Sequence, residues 1–200
     1  MSTNATTFLG LDLSTQQLKA VLLSADNTAV HKAAVHFEKD LPDYGTNNGI
    51  IQGPSEGEFT SPVSMWLEAI DLLMTRMQNS GVNFGEITSV CGAAQVSESI
   101  IYRVMRCEVF QPEKQHGSVY WSIDAENSLA SLDANKSICS QLFPKAFSLP
   151  VAPTWQDSST TQDCRILDAC IGGPQALADL TGSRAYERFT GPQIAKVCNR

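Results

Sequence analysis

The sequence predicts an α/β fold: a mixed sheet that begins with a three-strand antiparallel meander and carries packed helices. Three observations lead there. Three extended runs follow one another through short polar turns. An amphipathic helical pattern comes next, and a short apolar run follows it, as in a strand buried between helices. The last third then reads as helices.

The elements are justified in order. Thr7 to Leu13 (TFLGLDL) alternates and is rich in β-formers. Gln17 to Ser24 (QLKAVLLS) follows a short polar turn, and Thr28 to Phe37 (TAVHKAAVHF) follows a second turn at Asp26-Asn27. Runs so closely joined pair as antiparallel neighbours. Asp40 to Gly57 is polar and rich in Gly, Pro and Asn, so it reads as a loop. Ser61 and Pro62 read as a hydroxyl N-cap with proline at the first helical position. Val63, Trp66, Leu67, Ile70, Leu73, Met74 and Met77 then recur on one helical face, up to Gly81. Glu86 to Ala94 (EITSVCGAA) and Gly117 to Ile123 (GSVYWSI) read as strands. Asp157-Ser158-Ser159 can cap a helix reaching about Ile171, closed by Gly172. A shorter helix runs from Pro174 through Leu180 to Gly182, and Gly191-Pro192 opens another.

Composition sets bounds on function. With 200 residues, 42% hydrophobic and 18% charged, the chain is an ordinary globular domain with room for a core. Its net charge of -7 argues against nucleic acid or an anionic membrane surface as partner. No apolar run has the roughly 20 residues needed to span a bilayer. Met1 to Thr7 is polar and lacks the basic start of a secretory signal. The six cysteines (Cys91, Cys107, Cys139, Cys164, Cys170 and Cys198) have neither Cys-x-x-Cys nor zinc-ligand spacing. They read as small buried hydrophobes in a reducing, cytosolic compartment.

Chemistry concentrates first at Gly10-Leu11-Asp12-Leu13-Ser14-Thr15-Gln16-Gln17. A carboxylate near a strand end is followed by two hydroxyls in a tight connection. Such a connection aims N–H groups and hydroxyls at one spot, which suits phosphate oxygens, and Asp12 can hold Mg²⁺ directly or through water. The same residues could also simply form a Ser/Thr turn closing a hairpin. Gln115-His116-Gly117 and Arg184-Ala185-Tyr186-Glu187-Arg188-Phe189 offer an imidazole and a guanidinium able to donate to sugar hydroxyls. A core histidine and a surface arginine are the plain structural readings of those two.

These segments occur in order with Asp40-Leu41-Pro42-Asp43-Tyr44-Gly45-Thr46, with Pro153-Thr154-Trp155-Gln156-Asp157-Ser158-Ser159-Thr160-Thr161, and with Leu180 to Gly191. The set resembles the N-terminal domain of the FGGY carbohydrate kinases, in the form found in eukaryotic, fungal-type xylulokinases. It runs from about Phe8 to about Lys196. The resemblance implies an actin-like ATPase, ribonuclease-H-like domain with helices on both faces of the sheet. It implies a cytosolic, ATP- and Mg²⁺-dependent transfer of a phosphoryl group to the C5 hydroxyl of D-xylulose. It places Asp12 toward Mg²⁺ and phosphate, Ser14 and Thr15 in the phosphate hairpin, and Gln115, His116, Asp157 and Arg188 at the sugar. The hairpin reads Asp-Leu-Ser-Thr, where many relatives have Asp-x-Gly-Thr. The family's general base is an aspartate of the C-terminal half, so no catalytic base is expected in this chain.

Two departures stand out against the family. Between Gly92-Ala93-Ala94-Gln95 and Gln115-His116-Gly117 lies Val96 to Lys114 (VSESIIYRVMRCEVFQPEK), which relatives lack. The expectation is a translated intron: a valine codon can open on a GT donor, a lysine codon can close on an AG acceptor, and removal restores the motif in frame. Genomic DNA without GT at Val96 would rule this out. The rival is a surface loop with its ends held together. The second departure is the ending Val197-Cys198-Asn199-Arg200, after which relatives continue into a C-terminal domain. The expectation is therefore an incomplete N-terminal domain, inactive alone. Two alternatives remain open: a non-catalytic sugar- or partner-binding product, and an FGGY kinase for another polyol or ketose.

Overall fold

A computed structural model of the chain describes residues 6–94 and 118–199. Gln115, His116, Cys107 and the segment Val96–Lys114 lie outside the described residues, and so does Gly117.

The meander forms as expected. β1 (Thr7–Leu13), β2 (Gln17–Ser24) and β3 (Ala29–His36) pair antiparallel, with Leu9 opposite Leu22 and Leu18 opposite Val35. Asn27 turns the chain between β2 and β3 with a positive φ of 64°. The Asp26 carboxylate fixes that turn by accepting from the Ser24 hydroxyl at 2.5 Å and from the Thr28 N–H at 3.3 Å.

The stretch expected to be a loop has more structure than its composition suggests. The single-turn helix α1 (Phe37–Asp40) ends at the first residue of this stretch, which contains a 3-10 turn over Pro42–Tyr44 and the short strand β4 (Ile51–Gln52). β5 (Phe59–Pro62) pairs with β4 and extends through Pro62, so Ser61 is a strand residue and not a helix cap. Its hydroxyl donates to the Gly49 carbonyl at 2.6 Å. Pairing with a partner strand outcompetes the local capping signal here.

α2 (Val63–Asn79) then carries the periodic apolar face, and Met65, Trp66, Leu67, Ala69, Leu73 and Met77 are all buried. β6 (Ile87–Ala94) returns parallel to β1, with Leu9 opposite Val90 and Asp12 opposite Ala93. The resulting sheet has the order β3-β2-β1-β6. Leu9, Leu18, Ala20, Leu22 and Val35 meet α2 on one face. Full burial of each large side chain contributes about 1.5–3 kcal/mol. Among the described residues, α2 covers this face of the sheet.

The strand expected at Gly117–Ile123 is absent over its described part. Trp121 makes an isolated bridge to Phe147, flanked by bonds from the Ser122 N–H to the Ala146 carbonyl and from the Ser148 N–H to the Tyr120 carbonyl. The Trp121 and Phe147 rings stack with centroids 4.7 Å apart, so packing substitutes for a ladder. α3 (Ala125–Ala130) and α4 (Ile138–Leu142) follow. The Asp71 carboxylate of α2 caps α4, accepting from the Ser137 hydroxyl and from the N–H groups of Ile138 and Cys139 at 2.7–3.0 Å.

β7 (Val151–Pro153) joins the second sheet, of order β4-β5-β7. Three helices complete the described chain: α5 (Thr161–Ile171), α6 (Pro174–Thr181) and α7 (Thr190–Cys198). Gly172 and Gly182 close α5 and α6 in the left-handed conformation, as the sequence predicts. The cysteines depart from expectation. Cys164 is buried, but Cys91, Cys170 and Cys198 are exposed. Burial pushes the Cys139 thiol up to about 11, so it is a poor nucleophile.

Candidate functional site

The β1–β2 connection is a tight Ser/Thr turn. The N–H and the hydroxyl of Ser14 both donate to the Gln17 carbonyl at 3.0 Å. The turn is braced from outside: the Phe37 N–H donates to the Gln16 carbonyl at 3.0 Å, and the Gln16 side-chain amide reaches Asn48 at 3.2 Å. Glu38 in turn accepts from the Asn48 N–H. Gly49, at a φ of +77°, lies so close that a Cβ there would sit 1.7 Å from the Thr15 carbonyl oxygen. Only glycine permits this approach.

Asp12 sits on β1 just before the turn. Its carboxylate is half exposed and stands 3.9 Å from the Lys19 ammonium on the paired strand. Gly10, Asp12, Lys19, Val21, Lys32 and Ala34 line an open concavity over this part of the sheet.

Thr15 meets a residue from the far end of the chain. Its hydroxyl accepts a hydrogen bond from the Trp155 indole N–H at 3.0 Å. The Arg188 guanidinium lies over the same indole, with its carbon 5.4 Å from the ring centroid. The structure thus brings Thr15 and Arg188 to one side chain. Trp155 was legible only as a neighbour of Asp157 within a longer motif.

Asp157 is placed differently from its neighbour. It is fully buried. One carboxylate oxygen accepts from the Phe59 N–H at 3.0 Å. The other accepts from the Ser159 N–H and hydroxyl at 3.2 and 2.8 Å and from the Gln193 amide at 2.9 Å. The expected cap for α5 is not formed: Thr160 is the N-cap residue and makes no side-chain capping bond. The carboxylate instead ties β5 to α7, because a buried charge needs several donors and these are within reach. Beside it, the Lys196 ammonium donates to the Ser159 hydroxyl at 2.5 Å and pairs with the buried Glu58 at 3.6 Å. Gln193, Lys196 and Glu58 had no signal in the sequence, since nothing local shows which polar residues will be buried together.

Mouse xylulose kinase is 43% identical over 189 residues, covering 94% of this chain and 31% of the mouse protein. The chain is similar to xylulose kinases along nearly its whole length. Xylulose kinase of Saccharomyces cerevisiae is 42% identical over 193 residues, covering 95% of this chain and 28% of the yeast protein. The chain thus spans about a third of the length of these xylulose kinases. A scan against protein-family profiles finds no match. A solved xyloylose kinase from Brucella ovis superposes with a TM-score of 0.58 at 17% identity, over 97% of this chain and 29% of that one. That likeness shows the fold alone, the actin-like α/β class that the sequence resemblance implies.

Proposed function

We propose that this chain forms the N-terminal, phosphate- and ketose-facing part of a cytosolic kinase that phosphorylates D-xylulose with ATP to give D-xylulose 5-phosphate. The observation that carries the reading is the convergence of Thr15 and Arg188 on Trp155, in a chain whose relatives are xylulose kinases. Two segments picked for opposite ends of a phosphoryl transfer, the phosphate hairpin and the sugar contact, share one wall.

In this reading Ser14 and Thr15 shape the turn that faces the phosphates. Arg188 donates to sugar hydroxyls, together with His116 and Gln115. Asp157 holds the Trp155 turn from beneath. Asp12 fits a Mg²⁺ role: it is a half-exposed carboxylate, and Mg²⁺ is held by one or two carboxylates with water and phosphate oxygens supplying the rest. When bound, Mg²⁺ neutralises charge on the transferred phosphoryl group. Lys19 beside Asp12 adds a positive charge for the same phosphate. Among the described residues no helix is long and apolar enough to cross a membrane.

Isothermal titration of the purified chain with D-xylulose tests the proposal. Expected is weak binding that His116→Ala and Arg188→Ala each abolish, with no ATP-dependent turnover in a coupled assay. Absence of D-xylulose binding alongside clear binding of glycerol or ribulose would move the reading to another sugar kinase. Clear turnover would overturn the expectation that the base lies outside these residues.

A further inference from the structure

We infer that Trp155 is a positioning residue that locks the phosphate-facing turn to the sugar-facing arginine, so that Thr15 and Arg188 hold their places as one unit. The inference rests on the roles proposed above for those two residues.

The indole makes two different contacts at once. Its edge N–H donates to the Thr15 hydroxyl at 3.0 Å, and its face carries the Arg188 guanidinium at 5.4 Å. An indole N–H is a donor only, so the Thr15 hydroxyl is held as acceptor and its own proton points elsewhere. A guanidinium over a tryptophan face is attracted by the ring quadrupole, which limits where a long, flexible arginine can go. The indole can perform both tasks only if its own backbone is fixed, and it is. The Thr154 N–H donates to the Phe59 carbonyl, the Asp157 N–H donates to the Thr154 carbonyl, and both bonds are 3.0 Å long. Asp157, fully buried, anchors the turn to Phe59 and Gln193. The Thr15 side is equally fixed, through Gly49 and Phe37. Yet Trp155 itself is 39% exposed, so a large part of its ring lies outside the core. Core packing does not account for its placement.

The test is a double-mutant cycle in the full chain with D-xylulose as probe. Trp155→Phe keeps an aromatic face for Arg188 and removes the N–H. Thr15→Val keeps the shape and removes the acceptor. Each is expected to weaken D-xylulose binding by about two- to tenfold, the scale of one net hydrogen bond. The double variant should lose no more than either single, because both break the same link. Thermal denaturation should leave all three variants folded with nearly the wild-type midpoint. The second readout needs no ligand: the Arg188 Nε–H resonance should move in Thr15→Val, carried through the indole.

If wild type binds D-xylulose and both single variants bind it equally well, the lock is overturned while the proposed function stands. Additive losses in the double variant would also overturn it. If wild type does not bind D-xylulose, the proposed function fails for this chain and the Arg188 signal decides the lock. An unmoved signal overturns it, and a moved one upholds it as a positioning device.

Discussion

Two regions of this molecule are held together by different physics. In the unit of β1–β3, α1, α2 and β6, the buried residues are almost all apolar: Leu9, Leu18, Leu22, Val35 and Phe37 meet Met65, Trp66, Leu73 and Met77. Across α5–α7 the buried helix residues are only Cys164, Pro192 and Gln193, while Ile166, Leu180 and Ile194 face outward. The apolar core cluster includes nothing beyond Ala152. What joins the helices to the rest is a polar hub: Asp157 with Phe59, Ser159 and Gln193, Thr160 with the Glu187 carbonyl, and Lys196 with Glu58. An apolar core is forgiving of detail but costly to hollow out. A polar hub is small and fails when one member leaves its partners unpaired.

The sharpest way to break this contrast is to empty one site in each region. Phe37→Ala removes a fully buried ring and should destabilise the whole fold by about 3–5 kcal/mol, read from urea denaturation. Asp157→Ala should cost less, about 2–3 kcal/mol, by stranding the Phe59 N–H and the Gln193 amide. Its signature is local: hydrogen exchange should accelerate in α7 and in the Trp155 turn while the meander keeps its protection. Uniform acceleration across both regions would mean the hub and the core unfold as one.

The smallest effect concerns an ion pair at the border of the apolar unit. Arg76 forms two 2.9 Å bonds to the Asp40 carboxylate and reaches the Ala34 carbonyl at 2.5 Å, pinning α2 to the end of β3. The guanidinium holds the Asp40 carboxyl down at about 2. A carboxyl depressed on folding stabilises the protein above its unfolded value of about 4, and that contribution fades as pH falls toward 2. Stability should therefore drop across that acid window, and Arg76→Met should flatten the drop. An unchanged slope in the variant would show that other carboxylates set the acid limit.

The contrast also explains what could be read in advance. The meander and α2 were legible because apolar periodicity is local and repeats. Gly172 and Gly182 were legible because only glycine readily closes a helix at positive φ. The Ser61-Pro62 signal misled because a strand partner, β7, lies some ninety residues further along the chain and competes for the same backbone. At the site, Thr15 and Arg188 were nameable from their motifs, but their meeting at Trp155 was not.

Alone, the sequence determined the opening meander, the apolar face of α2, the glycine ends of α5 and α6 and the motifs shared with xylulose kinases, since each is written in neighbouring residues. Only the tertiary structure decided that Asp157 is an internal tie, that Gly49 must be glycine to let the turn approach, and that one indole joins the Thr15 turn to Arg188. Those facts depend on which distant backbones share a space, and no local pattern encodes that.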